Sequence, residues 1–348
     1  MQKPLITNRF VERFNLSTPI ALAPMALANG GNLAAACARA GALSLVGGGY
    51  GDLVWTQREY SEAISLLDGN QDNLSRLGCG FISWKLAEDR SAFDWLLDQP
   101  QKPAAVMLSF GDPTAFAKIL SDLNIPVICQ IQTMAQLPQA LDAGASVIVA
   151  QGTEAGGHGM NEREGRNTFT FVPEIADWLA KHSPQTILLA AGGIADGRGL
   201  AAAMTLGADG ALIGSRLWAT TQSLATESAK NIALQASGDD TTRSSIFDIL
   251  RGKNWPEQFD FRAIRNKLHR KWEGRIDELR SDPAAAMEDY ASGAGQEDYD
   301  RAHITVGQDV GLINDISSAE EVIDNIGQEA ARLLNGGNTG KIATRRLA

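Results

Sequence analysis

Eight short apolar runs, separated by stretches of helical character, occupy the first two-thirds of this 348-residue chain. They are PIALAPM (19–25), LSLVGGG (43–49), LGCGFIS (77–83), AAVMLSF (104–110), PVICQIQ (126–132), SVIVAQG (146–152), TILLAAGG (186–193) and GALIGS (210–215). They are rich in Val, Ile and Leu and almost free of charge. Parallel strands buried on both faces read this way, because neither face needs to be polar. Seven helical segments lie between them, from NLAAACARAG to GRGLAAAMTLG, and several end in Gly or Asn, as helix C-termini do. Eight βα units in about 200 residues predict an α/β fold of the TIM (β/α)8 barrel type. A doubly wound sheet is the alternative, but it has one switch point and fewer strands.

The alternation lapses after Trp218. The expected organisation is a barrel over 1–219 and a mostly helical cap or substrate domain over 220–302. Segment 303–348 is then a helix returning to the barrel plus a frayed tail. No clear strand is expected in the cap, and no internal repeat is visible beyond the βα alternation. The formal charge, 31 basic against 41 acidic residues, is −10. That argues against a nucleic-acid partner, which wants a basic face. Cys37, Cys79 and Cys129 have neither disulfide nor zinc spacing and read as buried thiols, so no metal is expected. The N-terminus lacks a signal-peptide core, and no run reaches 18 apolar residues. The expectation is a soluble cytoplasmic protein without a membrane partner. The sequence leaves oligomeric state open, a homodimer included.

In a barrel, chemistry gathers where strands end and βα loops begin. Glycines crowd those ends here. AGGIADG (191–197) followed by GADGALIGS (207–215) reads as a phosphate site. Backbone N–H groups of Gly193, Gly214 and Ser215, the Ser215 hydroxyl and a following helix N-terminus are suited to an anion. QGTEAGGHGM (151–160) puts His158 on the neighbouring loop, where an imidazole can exchange a proton or face an anion. Glu154 reads as a loop-orienting group. His182, His269 and His303 read as solvated or structural. Gln130, Gln132 and Gln151 are unusual in buried strands and suit the edge of a planar heterocycle. Met25 offers an apolar platform. With no GxGxxG fingerprint after a strand, this combination suggests flavin mononucleotide (FMN).

At these residues the chain resembles the nitronate monooxygenase family, also called 2-nitropropane dioxygenases. The resemblance is carried by APM (23–25), QGTEAGGHG (151–159), RNTFTFVPEIAD (166–177), AAGGIADGRGLAAAMTLGADGALIGS (190–215) and FDILRGKNWPEQFDFRAIRN (247–266). It implies FMN in the 1–219 barrel. Contacts carry over to Ala23, Pro24, Met25, Gln151, Gly156 and Gly193, and to Leu212, Ile213, Gly214 and Ser215. Gly157, Gly192 and Gln130 complete the candidate set, with Ser83, which stands where many members have Asn. His158 aligns with the family's catalytic histidine. The implied reaction is oxidation of an alkyl nitronate with O2 to a carbonyl compound and nitrite. Its substrates are a small nitronate or nitroalkane and O2. The final strand departs from the pattern, ending LIGS where many members end GT. The same scaffold also serves NAD(P)H-dependent enoyl-acyl-carrier-protein and quinone reductases, and a non-catalytic flavin-binding barrel is a third reading.

Overall fold

The computed structural model describes residues 6–336; the tail from 337 lies outside them. All eight apolar runs become strands: β1 Ile20–Leu22, β2 Leu43–Gly49, β3 Leu77–Ile82, β4 Val106–Ser109, β5 Val127–Ile131, β6 Val147–Gln151, β8 Ile187–Ala191 and β9 Gly210–Ile213. They close a parallel barrel in the order β1-β2-β3-β4-β5-β6-β8-β9. Closure is direct, with Ile20, Ala21 and Leu22 in register with Ala211, Leu212 and Ile213. The fold is the (β/α)8 barrel that the alternation predicts.

The period of two along each strand sorts side chains between two cores. Leu43, Leu45, Met107, Ile128, Val149, Leu189 and Leu212 point inward and fill the barrel. Val46, Leu108, Cys129, Ile148, Leu188, Ala211 and Ile213 point outward and pack under the helices. A short helix, Arg9–Phe14, places Phe10 and Phe14 in the inner cluster. Asn8 donates to the Asp209 carbonyl at 2.6 Å, and Arg9 pairs with the Asp209 carboxylate at 2.7 Å. Asp209 immediately precedes β9, so this helix plugs the N-terminal end of the barrel and chemistry is left to the other rim. The three thiols are free and buried, and burial pushes Cys79 and Cys129 up to about 12.

The segment after Trp218 contains helices, among them Glu227–Gln235, Ile246–Leu250, Lys267–Trp272 and Ala284–Gly295. It also contains two strands that the sequence reading omits, β10 Thr241–Ser244 and β11 Phe259–Ile264. Phe259-Asp260-Phe261-Arg262 alternates apolar and polar, the period-two signal of a strand, but the stretch is short and follows a Trp-Pro turn. A further strand, β7 Gly157–Met160, forms inside the glycine-rich loop. The three make an antiparallel sheet in the order β10-β11-β7, with His158 opposite Phe261. The histidine loop and the cap therefore share one sheet.

A last helix, Ala319–Leu334, starts in a capping box between Ser318 and Glu321. Its Val322, Ile323 and Ile326 join the outer core. Its Glu329 carboxylate accepts from the Gly197 amide at 2.9 Å, and Glu320 pairs with Arg39 at 3.0 Å. Among the described residues no helix is long and apolar enough to cross a membrane.

Candidate functional site

A cavity of about 400 Å³ opens at the C-terminal rim of the barrel and runs under the cap. It is lined by Ala23, Pro24, Met25, Gln130, Gln151, Gly156, Gly157, His158, Gly192, Gly193, Leu212, Gly214 and Ser215. These are thirteen of the fifteen residues that the sequence nominated. Ser83 and Ile213 are not in the lining, and strand parity is the reason. Ile82 and Leu212 point into the barrel, so the next residue along each strand turns outward. Ile213 sits in the outer core and the Ser83 hydroxyl is buried with no hydrogen-bond partner.

The first rim loop is seated by glycines on neighbouring strands. A Cβ on Gly80 would strike the Pro24 ring at 2.4 Å, and one on Gly47 would strike the Met25 carbonyl at 2.6 Å. Residues 214–215 follow β9, the strand paired with β1, and so lie beside this loop, with loop 192–194 next along the rim after β8. Gly193 takes φ 78°, a left-handed conformation open mainly to glycine. A Cβ on Gly214 would meet Met25 Sδ at 3.7 Å and Ala23 Cβ at 3.8 Å, ordinary packing distances, and the residue lines the cavity.

Two groups at this end are already engaged within the protein. The helix after β8, Gly197–Thr205, does not offer its N-terminus to a ligand. The Asp196 carboxylate accepts from Gly199, and Glu329 accepts from Gly197. Nor is the Ser215 hydroxyl free. It accepts from the Gly307 amide at 2.8 Å and is hydrogen-bonded to Asp309.

Asp309 is itself buried in the lining. Burial pushes its carboxyl up to about 6, although the Ser215 hydroxyl favours the ionised form. A raised folded pKa means that the folded state binds the proton more tightly than the unfolded chain does. The destabilisation is therefore absent below about pH 4, grows as pH rises, and is complete above about pH 6. Roughly two units correspond to about 3 kcal/mol at most. Asp309→Asn is expected to raise the melting temperature of the ligand-free protein at pH 7.5 and to lose that advantage near pH 4. A mutant less stable than wild type at pH 7.5 would show the carboxylate to be a net stabiliser.

The loop of His158 is held by charged groups that bond its backbone. Arg243 donates to the Ala155 carbonyl at 2.8 Å, to Thr153 at 3.3 Å and to Gly157 at 3.4 Å. Arg262 donates to the Thr153 carbonyl at 3.1 Å. A Cβ on Gly159 would lie 2.9 Å from Arg243 Nη1, and one on Gly156 would strike Val306 at 2.5 Å. Glycine is needed here because the cap packs directly on the loop's backbone. Glu154 accepts from the Thr168 amide and hydroxyl at 3.0 Å, which ties the loop to the helix Thr168–His182. Gln130 and Gln132 donate to Gln151 Oε1 at 3.1 and 3.0 Å, and Gln151 donates onward to the His158 carbonyl at 3.0 Å. The Gln151 amide thus holds the histidine strand in place.

His158 is fixed on every side. Its side chain is only 9% exposed. Its ring stacks on Trp255, with centroids 3.4 Å apart and planes 12° from parallel. Its Nε2 lies 2.9 and 3.0 Å from the two oxygens of Asp248. An ionised carboxylate only accepts, so the hydrogen sits on Nε2 and the lone pair is left on Nδ1. Burial pulls the imidazole down to about 4, against the opposing pull of Asp248, so it is neutral at pH 7. Phe110 abuts both rings, at 6.3 Å from His158 and 5.1 Å from Trp255, from a left-handed backbone at φ 59°. That conformation costs a residue with a side chain about 1–2 kcal/mol.

Asp248, Arg251 and His303 were given no site role from the sequence, whereas Trp255, with Phe259 and Phe261, read either as a cap aromatic closing over an apolar substrate or as cap core. Asp248 and Arg251 lie in the segment 247–266, where an Asp and an Arg inside an apolar stretch are the signal that could have found them. His303, read as solvated or structural, instead lines the cavity, with Nδ1 at 2.6 Å from the Tyr290 hydroxyl. Burial pulls it down to about 3. His269 is buried against Ser244 at 2.8 Å, and His182 stacks on Trp178; both stand apart from the cavity lining.

The sequence profile of the family described as nitronate monooxygenase matches residues 87–329. A nitronate monooxygenase, npaC, of Metarhizium robertsii is 35% identical over 211 residues, covering 57% of either chain. A nitronate monooxygenase of Neurospora crassa is 29% identical and is matched over 88% of either chain. Among solved structures, FabK from Thermotoga maritima superposes with TM-score 0.76 at 26% identity, over 95% of this chain and 98% of that one. A nitroalkane oxidase from Streptomyces ansochromogenes superposes with TM-score 0.75 at 21% identity, over 94% and 99%, and speaks for the fold.

Proposed function

The chain belongs to the nitronate monooxygenase family of oxidoreductases, and from that membership we propose that it oxidises alkyl nitronates with O2 at FMN held in the rim cavity. The products are a carbonyl compound and nitrite. The observation that carries this reading is His158. It is neutral, carries its lone pair on Nδ1, is locked by Asp248 and Trp255, and faces the same cavity as the glycine loops 192–194 and 214–215.

The residues fit FMN at one end and a small substrate at the other. Gly193, Gly214 and Ser215 line one end of the cavity, where their backbone suits one phosphate. Met25 and the Ala23-Pro24 backbone provide an apolar wall for a ring system, and Gln130 a polar edge. FMN, when bound, supplies the acceptor for substrate electrons and the centre that reacts with O2. The chain's own contribution is a positioned base. His158 Nδ1 takes the proton from carbon of a neutral nitroalkane, and Asp248 stabilises the imidazolium that results. Tyr50, Phe110, Trp255 and Phe261 line the substrate side with aromatic surface.

The test is direct. The purified protein is expected to be yellow, to release FMN on denaturation, and to turn over a nitronate aerobically with nitrite formed. Release of FAD, or failure to retain flavin after reconstitution, overturns the cofactor assignment. Gly193→Val is expected to lower flavin occupancy far more than it lowers the melting temperature of the flavin-free protein. A β-branched side chain is poorly suited to φ 78° and would press on the Glu154 side chain that ties down the neighbouring loop, displacing the Gly193 backbone from the cavity wall. Full occupancy in that mutant removes Gly193 from the phosphate site.

A second reading is kept by the likeness to FabK: NAD(P)H-driven reduction of an enoyl thioester or a quinone on the same barrel. Anaerobic bleaching of the flavin by NAD(P)H, without a response to nitronate, selects it.

A further inference from the structure

Arg251 lines the cavity beside His158, and the roles above leave it unused. Its side chain is 12% exposed, and Nη1 makes no hydrogen bond within the described residues. The carboxylate beside it, Asp248, lies 3.8 Å away, beyond hydrogen-bond reach, and both its oxygens are already engaged by His158. The guanidinium carbon sits 5.0 Å from the Phe261 ring centre, which holds its plane. The Tyr50 hydroxyl, also in the cavity lining, hydrogen-bonds to the guanidinium and leaves Nη1 as the unpaired end. Lys253, 4.4 Å from the Tyr50 ring, adds a second cation. With His158 and His303 both neutral, Asp248 offsets one of these two positive charges. A buried N–H donor without an acceptor, as at Nη1, is costly to maintain unless a ligand supplies the acceptor.

We propose that Arg251 grips the two oxygens of a nitronate through its planar fork, so that the site selects the deprotonated nitronate over the neutral nitroalkane. The proposal rests on the nitronate reading of this site. A nitronate carries its negative charge on two oxygens bonded to one nitrogen, coplanar and spaced much as in a carboxylate. Arginine recognises that geometry with two parallel N–H donors. A neutral nitro group has the same outline with less charge on oxygen. Shape admits both forms and charge discriminates between them. The neutral His158 cannot provide that charge, and Arg251 can.

Nitrate, a planar monoanion of the same local shape, is the probe. Its binding to the flavin-loaded protein is read from the perturbation of flavin absorbance, beside steady-state kinetics with both forms of one substrate. Arg251→Met is expected to raise KM for the nitronate on the order of 10–100-fold and to weaken nitrate binding by a similar factor. KM for the neutral nitroalkane is expected to stay within about twofold. Unchanged nitrate and nitronate constants in the mutant, or no nitrate binding by wild type, overturn the proposal. If wild type binds nitrate through Arg251 but turns over no nitronate, the anion site stands and the nitronate reading fails. Should Arg251→Met not fold, Arg251→Lys serves, since it keeps the charge and loses the fork. Its expected loss is roughly tenfold for both anions, and constants equal to wild type overturn the bidentate grip.

Discussion

His158→Asn is expected to lower kcat/KM for a neutral nitroalkane about 10²–10⁴-fold, the usual contribution of a positioned base. Turnover of the preformed nitronate is expected to fall by no more than about tenfold, the scale of one lost hydrogen bond. A nitroalkane must lose a proton from carbon before its electrons are available; a nitronate has already lost it. Asn fills part of the imidazole's space and can still hydrogen-bond, but it takes no proton. The pH dependence gives a second readout. Burial pulls His158 down to about 4, so the base is unprotonated from that pH upward. The acid limb for the neutral substrate is therefore expected near pH 4 to 5 rather than near 6.5. The same shift enters stability. Between about pH 4 and 6.5 the unfolded chain binds a proton there and the folded protein does not, so stability falls as pH drops through that window. The measurement is kcat/KM across pH for both forms of one substrate. Equal losses for the two forms reject the base role.

Strand parity explains much of what could be read without a structure. The barrel was legible because strands buried on both faces leave eight uncharged runs, and chain order dictates barrel order until a loop strand intervenes. Residues at strand ends were placed well where their side chains point inward, as with Gln130, Gln151 and Leu212. Ser83 and Ile213 lie one position past an inward residue, which on a strand reverses the face and keeps them out of the lining. The cap was harder to read. Its strands are four and six residues long and take their partners from one another and from a loop that the glycines disguised. The glycines of 151–160 were read as room for a ligand. Gly156 and Gly159 also make room for Val306 and Arg243, while Gly156 and Gly157 line the cavity. Asp248 meets His158 across 90 residues, a pairing that local pattern does not encode.

That pairing sets the second large effect. Asp248→Asn is expected to reduce turnover of neutral nitroalkanes about 10²–10⁴-fold, approaching the loss in His158→Asn, with nitronate turnover within about tenfold of wild type. Both carboxylate oxygens lie within 3.0 Å of Nε2, and a carboxylate has no proton to offer, so only the tautomer with Nδ1 free is supported. An amide presents an N–H as well. It can donate to Nε2, which moves the imidazole proton to Nδ1 and removes the base without removing the histidine. The charge matters too. Asp248 is what opposes burial in setting the His158 pKa, so its loss makes protonation in the closed site harder still. Arg251 loses its neighbouring carboxylate at 3.8 Å, so a lower melting temperature is expected and is measured separately. General damage lowers both substrate forms together, whereas a tautomer defect lowers the neutral form selectively. If the residues act as one unit, the double mutant is scarcely worse than His158→Asn alone. Wild-type turnover of the neutral form in Asp248→Asn shows that the Trp255 stack and the Gln151 tie suffice to orient His158.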